Sequence, residues 1–296
     1  MAISVHSSLH ALAEKVESGA VWNRADALQL LASYDVIDIG RLAEAVRVCL
    51  VGETTTVVEA VSLRLEEIEG LADRGAAAAG QSGLLLLRDP KGWAYSQPYA
   101  AYLEAIRTLA ARLPVGMTLA LHSTEMVKSL AKLGERDLAA TLTDLWTAGV
   151  RLIAGGDDLT VHAAAHEIGL RSVVDLPASP ESPEAFVDAL LAVRDLQTKT
   201  AGFVAAHVAL PARLSGVPDA KQVACARLVL QNIPHISLGW GALMLKAAQV
   251  LMHFGIDDLG LIQSAKADLT EMAYQIRQTG RQPLLRNGLF ETIREL

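Results

Sequence analysis

Residues 232–260 read NIPHISLGWGALMLKAAQVLMHFGIDDLG, and this stretch decides the fold class. Its beginning, residues 235–240, alternates apolar residues and turns at a glycine, which is typical of a short buried strand. Residues 242–254 then place apolar side chains at helical spacing. A strand, a tight glycine corner and a helix within about thirty residues form the unit from which parallel α/β folds are built.

A second unit of the same kind begins directly after the first, at Ile256. It opens with the adjacent carboxylates Asp257 and Asp258, and charged side chains are seldom buried without partners. We therefore expect these two aspartates to lie on a loop rather than in the core.

Alternating strand and helix patterns recur about eight times along the chain, and right-handed crossovers would close them into a (β/α)8 TIM-type barrel. Further helical patterns flank this α/β barrel, at residues 8–18, 24–33 and 36–51 before it and at 268–278 and 286–294 after it. We predict a single domain with a helical N-terminal cap at 1–51, the barrel at 52–262 and C-terminal helices at 263–296.

The composition limits the partners that this protein can have. Its 296 residues are 51% hydrophobic and 20% charged, which suffices for one large domain with a full core. A net charge of -7 and a pI near 5.6 argue against nucleic acid or an anionic membrane as the main partner. No apolar run approaches the roughly 20 residues of a membrane span, and the first residues lack the pattern of an export signal. We expect a cytoplasmic protein.

The chain has only two cysteines, Cys49 and Cys225, each within a helical apolar pattern. Buried free thiols are the expected outcome for such positions. Two cysteines can neither hold an iron–sulfur cluster nor complete a usual zinc site. We therefore expect no metal.

In a TIM-type barrel, functional groups gather at the carboxyl ends of the strands, a region that we call the mouth. His122 and Glu125 are candidates for general acid and base. A small ring compound would fit a carboxylate-rich mouth that also contains an indole. The candidate ligand-binding residues are Asp89, Gly155, Gly156, Asp157, Asp175, His207, Trp240 and Asp257.

Several of these residues have a plainer interpretation. Ser123, Thr124 and Glu125 together also fit an ordinary helix N-terminus. Gly155 and Gly156 follow a strand, so that their amides either face a phosphate or carboxylate or form a plain tight turn. In the second case, Asp157 or Asp158 caps the next helix.

His162 and His166 are four residues apart with Glu167 beside them, a spacing that occurs in metal sites. Without a third ligand in sight, we interpret them as solvated residues of an amphipathic helix.

Three parts of the chain resemble a known family. The longest part contains the run 227–236, then Trp240, Lys246, Gln249, residues 253–255 and the pair Asp257-Asp258. The others are Tyr34-Asp35 with residues 40–43, and residues 280–283 near the end. In these positions the chain resembles the radical SAM enzymes of the futalosine route to menaquinone, aminofutalosine synthase first and the cyclic dehypoxanthine futalosine synthase and deazaflavin-forming synthases more distantly. The resemblance implies a radical-SAM-like barrel with an N-terminal helical cap and C-terminal helices, and it places a glutamate at the position of Glu125.

The chain departs from this family where the family binds its cofactors. Relatives carry Cys-x3-Cys-x2-Cys after the first strand, which holds a four-iron cluster that binds S-adenosylmethionine. Here the strand pattern at 52–60 leads directly into an apparent helix start at 62–68, with neither cysteine nor histidine between them. The family's next glycine pair, which contacts S-adenosylmethionine, is replaced by residues 87–93, LRDPKGW. The resemblance thus implies a degenerate paralogue for which no cofactor is expected.

Three functions remain open from the sequence. The first is a barrel without radical chemistry that binds a small aromatic or nucleoside-like ligand, or that is a partner of an authentic radical SAM enzyme in a homo- or hetero-oligomer. The second is an enzyme that uses His122 and Glu125 for acid and base chemistry on a futalosine-like or aromatic-acid substrate. The third is an enzyme that borrows its cluster or metal from another chain.

Overall fold

A computed structural model describes residues 3, 7–65, 69–79, 83–89, 97–177, 181–208, 216–238, 245–262 and 268–296. Eight parallel strands form a closed barrel, because β1 pairs with β2 on one edge and with β8 on the other. The strands are β1 (Thr54–Arg64), β2 (Leu84–Arg88), β3 (Thr118–Leu121), β4 (Leu152–Ile153), β5 (Arg171–Leu176), β6 (Phe203–Val208), β7 (His235–Leu238) and β8 (Asp258–Ile262). The predicted (β/α)8 barrel is confirmed.

Helices surround the barrel and precede it. The three that precede β1, after a 3-10 turn at Ser7–Leu9, are α1 (His10–Ser18), α2 (Arg24–Ala32) and α3 (Val36–Val51). The others are α4 (Leu71–Ala79), α5 (Tyr99–Ala110), α6 (Thr124–Leu133), α7 (Leu138–Thr147), α8 (Leu159–Glu167), α9 (Pro183–Thr200), α10 (Val217–Val229), α11 (Leu245–Met252) and α12 (Leu269–Arg277). None of the described helices is long and apolar enough to cross a membrane. The domain boundaries given above stay a prediction.

Strand residues alternate between two cores, as a pleated strand requires. On β2, Leu85 and Leu87 pack outward against the helices, whereas Leu84 and Leu86 pack in the barrel interior. The other strand residues of the interior core are Val58, Ala60, Ala120, Leu152, Val173 and Ala205. This alternation identifies which residues at the mouth face inward.

The C-terminal segment differs from the prediction. Residues 286–294 do not form a helix, because β9 (Gln282–Arg286) and β10 (Thr292–Glu295) form an antiparallel pair there. Strand β9 also pairs in parallel with the first residues of β1, from Thr54 to Val57. Strand pairing with a distant segment therefore decides this structure, and local periodicity does not show it.

The predicted helix start at 62–68 is also wrong in its described part. Strand β1 continues to Arg64, where it pairs with Arg88, and Leu65 still donates to the Arg88 carbonyl at 2.9 Å. Leu65 packs in the outer core. Residues 66–68 lie outside the described residues.

The amino end of the barrel is closed by buried ion pairs, which we call the floor. Asp258 accepts from Arg286 Nε at 2.6 Å and Nη2 at 2.7 Å, from Thr56 at 2.7 Å and from Ser237 at 2.5 Å. The Arg286 guanidinium also lies 3.6 Å from the centre of the Phe290 ring, a cation–π contact.

Asp257, the neighbour of Asp258, completes the floor. It accepts from Arg227 of α10, from His235 Nδ1 at 2.6 Å and from the Ile236 amide at 2.8 Å. The expectation that Asp257 and Asp258 lie on a loop is therefore wrong, since both are at most 1% exposed. Their burial is possible because each is paired with an arginine.

Candidate functional site

The mouth brings together polar side chains from neighbouring strands. Asp175 of β5 and His207 of β6 are register partners, and both face inward because Val174 and Ala206 pack in the outer core. His207 Nδ1 donates to Asp175 Oδ1 at 3.2 Å. Asp175 Oδ2 accepts from the Gly156 amide at 2.6 Å. The carboxylate is thus held by two donors while 43% of its side chain stays exposed.

The electrostatics of this group favour one ionised carboxylate. Burial alone would raise the pKa of Asp175, but His207, then the Gly156 amide, hold that pKa below its usual value. Asp175 is therefore an anion at neutral pH, oriented toward the opening of the barrel.

His122 follows β3, and the charge of Asp175 acts on its imidazole, which places it in the same group. Burial, and after it the charge of Arg88, lowers the pKa of His122, while Asp175 and Asp89 oppose this shift. His122 is therefore a neutral imidazole at pH 7, which can accept a proton.

Asp89 and Glu125 lie at the rim of the mouth. Burial raises the pKa of Asp89, and the charge of Glu125 raises it further against the opposing effect of His122. Glu125 itself is exposed on the first turn of α6 and forms an ion pair with Lys128. The N-cap of α6 is Ser123, whose hydroxyl accepts from the Met126 amide. The catalytic roles of His122 and Glu125 stay predictions.

The glycine pair after β4 forms a tight turn. Gly156 has φ +99°, and a Cβ atom there would lie 2.1 Å from Thr124 Oγ1. The Gly156 amide donates to Asp175, as the tight-turn alternative allows, and the ligand-binding roles of Gly155 and Gly156 stay predictions. Gly155 is buried, and a Cβ atom on it would lie 2.8 Å from Asp175 Oδ2. The glycines are needed so that the turn can approach the carboxylate closely.

Asp158, not Asp157, caps α8, with its carboxylate accepting from the Thr160 and Val161 amides. Asp157 is exposed beside the turn, and its role in ligand binding stays a prediction.

One predicted site residue, Asp257, lies away from the mouth. Asp257 was expected there, but it precedes β8 and so lies at the opposite, amino end of the barrel. There it is fully engaged in the floor and has no access to a ligand at the mouth. Trp240 lies outside the described residues.

His162 of α8 is a core residue and His166 is half-buried, so their interpretation as solvated side chains is wrong. His162 is fully buried and donates from Nε2 to the Gly156 carbonyl at 3.0 Å. His166 is hydrogen-bonded to Thr200 and Ser172, both at 2.7 Å. Among the described residues, no group of three potential ligands is placed to hold a metal ion.

Two arginines at the mouth were missed by the sequence analysis. Arg64 and Arg88 are the last residues of β1 and β2, and both are exposed. A basic residue that ends a buried apolar run, on the inward side of the alternation, is the signal that would have identified them.

The cysteines of this chain do not fit the cluster of a radical SAM enzyme. Such a cluster needs at least three thiolates, and the chain has two cysteines. Cys225 is buried in α10, where burial raises the pKa of its thiol to about 12. Cys49 is exposed on α3, contrary to the expectation of burial. Neither lies on a strand end at the mouth.

A cavity of about 1080 Å³ lies away from the mouth, on the outer side of the protein. It is lined by α1, α3 and the segment after α11, and Ile37, Ala45, Val48 and Phe254 contribute apolar walls. A ligand found to bind this protein must therefore be tested at this cavity as well as at the mouth.

The fold is a closed (β/α)8 TIM-type barrel whose mouth carries polar side chains. Among solved structures, HydG, a maturase of the FeFe-hydrogenase, has the same fold, with a TM-score of 0.69, 12% identity, and coverage of 95% of this chain and 76% of that chain. No family model matches the chain.

In sequence, the chain is similar to two aminodeoxyfutalosine synthases. That of Thermus thermophilus is 24% identical over 355 residues, covering 96% of this chain and 95% of the relative. That of Streptomyces coelicolor is 25% identical over 375 residues, covering 96% and 94%. Since both alignments are longer than the 296 residues of this chain, the relatives contain segments with no counterpart here.

Proposed function

We propose that this protein is a relative of the aminofutalosine synthases that has lost the iron–sulfur cluster and binds a small molecule at its mouth without radical chemistry. One observation carries this proposal. The cysteines that would hold a cluster are missing from the mouth, while the inward-facing group of Asp175, His207 and His122 is organised and open. The shorter length relative to the synthases also supports it.

Asp175 is the residue that we expect to bind the ligand directly. Its two donors fix its position, so little conformational freedom is lost when a hydroxyl or ring N–H of a ligand donates to it. Small aromatic and nucleoside-like compounds carry such donors, and the names of the synthases above point to the same class. The ligand is thus proposed to be a small aromatic or nucleoside-like molecule.

The test is a thermal-shift screen of the purified protein with S-adenosylmethionine, futalosine-type nucleosides and aromatic acids, together with its iron content and absorbance near 400 nm. We expect no stoichiometric iron and a rise in Tm with a compound of the last two groups. That rise should disappear in Asp175→Asn and persist in Ile37→Glu, a change at an exposed wall of the outer cavity. Bound iron with reductive cleavage of S-adenosylmethionine would contradict the proposal.

A second candidate function is acid and base catalysis at the same mouth. It is favoured by the juxtaposition of His122, neutral at pH 7, with Asp89, whose pKa is raised. In this case the stabilising compound is converted when incubated with the protein, and His122→Asn slows the conversion while ligand binding persists. If mass spectrometry finds the compound unchanged after prolonged incubation, the protein only binds it.

A role as partner of a cluster-bearing radical SAM enzyme stays a prediction. Co-expression with such an enzyme of the same pathway, followed by gel filtration, would show a joint complex or two separate proteins.

A further inference from the structure

The first two strands of the barrel end in arginines that stand side by side. Arg64 and Arg88 are direct register partners in the parallel pair of β1 and β2. The residues that flank them, Leu63, Leu65 and Leu87, pack in the outer core or against it. Because successive residues of a strand point to opposite faces, the two arginines lie on the inner face of the barrel. Both side chains are exposed, which places their charges in the mouth rather than in the barrel interior.

The pairing of β1 and β2 holds the two arginines about 5 Å apart at the backbone, so one anion can reach both guanidinium groups. The charge of Arg88 also reaches His122, since it contributes to lowering the pKa of that imidazole. Among the described residues, the acidic groups whose charges act on His122 or Asp89 are Asp175 on the opposite wall, and Asp89 and Glu125 at the rim. In this part of the mouth, guanidinium groups lie at β1 and β2 and a carboxylate lies at β5, with Asp89 and Glu125 at the rim.

We propose that Arg64 and Arg88 bind an oxyanion of the ligand, a carboxylate or a phosphate, while the rest of the ligand extends toward Asp175. The geometry suits this chemistry, because a guanidinium group presents paired N–H donors that match the two oxygens of a carboxylate or phosphate. The inference rests on the proposed function of the mouth and deepens it by naming the ligand as a small organic anion.

The experiment is isothermal titration calorimetry of the full chain with benzoate, AMP and inorganic phosphate, and with the neutral counterparts benzamide and adenosine. We expect at least one anion to bind and its neutral counterpart to bind about tenfold more weakly or not at all. The affinity for the anion should fall about tenfold in Arg64→Gln and in Arg88→Gln, and it should fall with added salt. Benzoate or AMP as the preferred probe distinguishes a carboxylate from a phosphate.

The control variant is Arg107→Gln, which removes another exposed arginine, on the outer helix α5. Arg64 and Arg88 are exposed, so their variants should fold, and an unchanged Tm without ligand checks this. The inference is overturned if no anion binds at millimolar concentration, if the neutral counterparts bind as well as the anions, or if Arg107→Gln weakens binding as much as Arg88→Gln does.

Failure of this inference can be told apart from failure of the proposed function. If a neutral compound binds, and if Asp175→Asn abolishes this binding while Arg88→Gln leaves its affinity unchanged, the mouth is a ligand site but not for anions. If Arg88→Gln weakens the binding of an anion while Asp175→Asn leaves its affinity unchanged, the arginine pair binds the anion and the proposed role of Asp175 is wrong.

Discussion

Charged side chains are buried and paired at the amino end of the barrel, whereas at the mouth they are accessible to solvent. On the floor, Asp257 and Asp258 are fully buried, and each carboxylate is bound by an arginine and by further donors. At the mouth, Asp175 is nearly half exposed and Arg88 is exposed. The two floor carboxylates therefore offer no acceptor that a ligand could reach, whereas the mouth does.

This difference supports a structural role for the floor and agrees with the proposed binding role of the mouth. A saturated, buried network closes the barrel and fixes the strand register, while an oriented but accessible group is what a binding site requires. Breaking the floor should therefore unfold the protein, and changing the mouth should alter binding with little effect on stability.

The largest effect is expected from Arg286→Met. The substitution leaves the Asp258 carboxylate buried without its guanidinium partner, which typically destabilises a protein by about 3–5 kcal/mol. Urea denaturation measures this loss, with Arg88→Gln at the mouth as the control, for which a change within about 0.5 kcal/mol is expected. Similar losses in the two variants would remove the contrast between floor and mouth.

Gly156→Ala should destabilise the protein by about 2–3 kcal/mol, since the new methyl group meets Thr124 and the backbone has a left-handed φ. Because the Gly156 amide holds Asp175, ligand binding should weaken as well. Gly169→Ala is the matched control, with φ +86° and no atom within 4 Å of the place that its Cβ would take, so it should cost about 1 kcal/mol and leave binding unchanged. Thermal unfolding and calorimetry check both variants, and equal losses in the two would mean that the close approach is unimportant.

The stability should also depend on pH through His166. Burial lowers the pKa of His166 to about 4, whereas an unfolded histidine titrates near 6.5. As the pH falls, the unfolded chain therefore binds a proton at His166 before the folded protein does. The stability contributed by the neutral imidazole is fully present above about pH 6.5 and falls by about 1–2 kcal/mol as the pH approaches 4. His166→Gln removes the titration, so the wild-type curve should be steeper than that of the variant between these pH values. Parallel curves would contradict the assignment.

The smallest effect is expected from Glu125→Gln. The carboxylate is 69% exposed and its ion pair with Lys128 lies on the surface, so the free energy of unfolding should change by less than about 0.5 kcal/mol. If the protein converts a ligand and Glu125 is its acid or base, the rate should fall without any such loss of stability. An unchanged rate would leave Glu125 as a surface residue only.

Much of the fold could be predicted because its signals are local. The apolar run of β5 and the Ser182 cap followed by proline at the start of α9 give both elements their observed bounds, Arg171–Leu176 and Pro183–Thr200. The floor could not be predicted in the same way. Asp258 pairs with Arg286, which follows it by 28 positions in the sequence. No local pattern shows that these two residues will be buried together.

The candidate site was predicted residue by residue but not as a group. His122, Asp175 and His207 were found because each ends or nearly ends a strand. Their mutual contacts depend on strand order and register, and so does the use of the Gly156 amide by Asp175. Arg64 was missed because β1 was taken to end too early.

The barrel closes at strand β1. One edge of β1 pairs with β8, and the other edge pairs with β9 in its first half and with β2 in its second half. Its first half consequently has no strand neighbour until residues 258–286 have been synthesised. During translation, the first half of this strand thus has unpaired edges while about 200 further residues leave the ribosome, and unpaired strand edges favour aggregation of the nascent chain. Closure of the barrel is a late event that joins the earliest strand to the last ones.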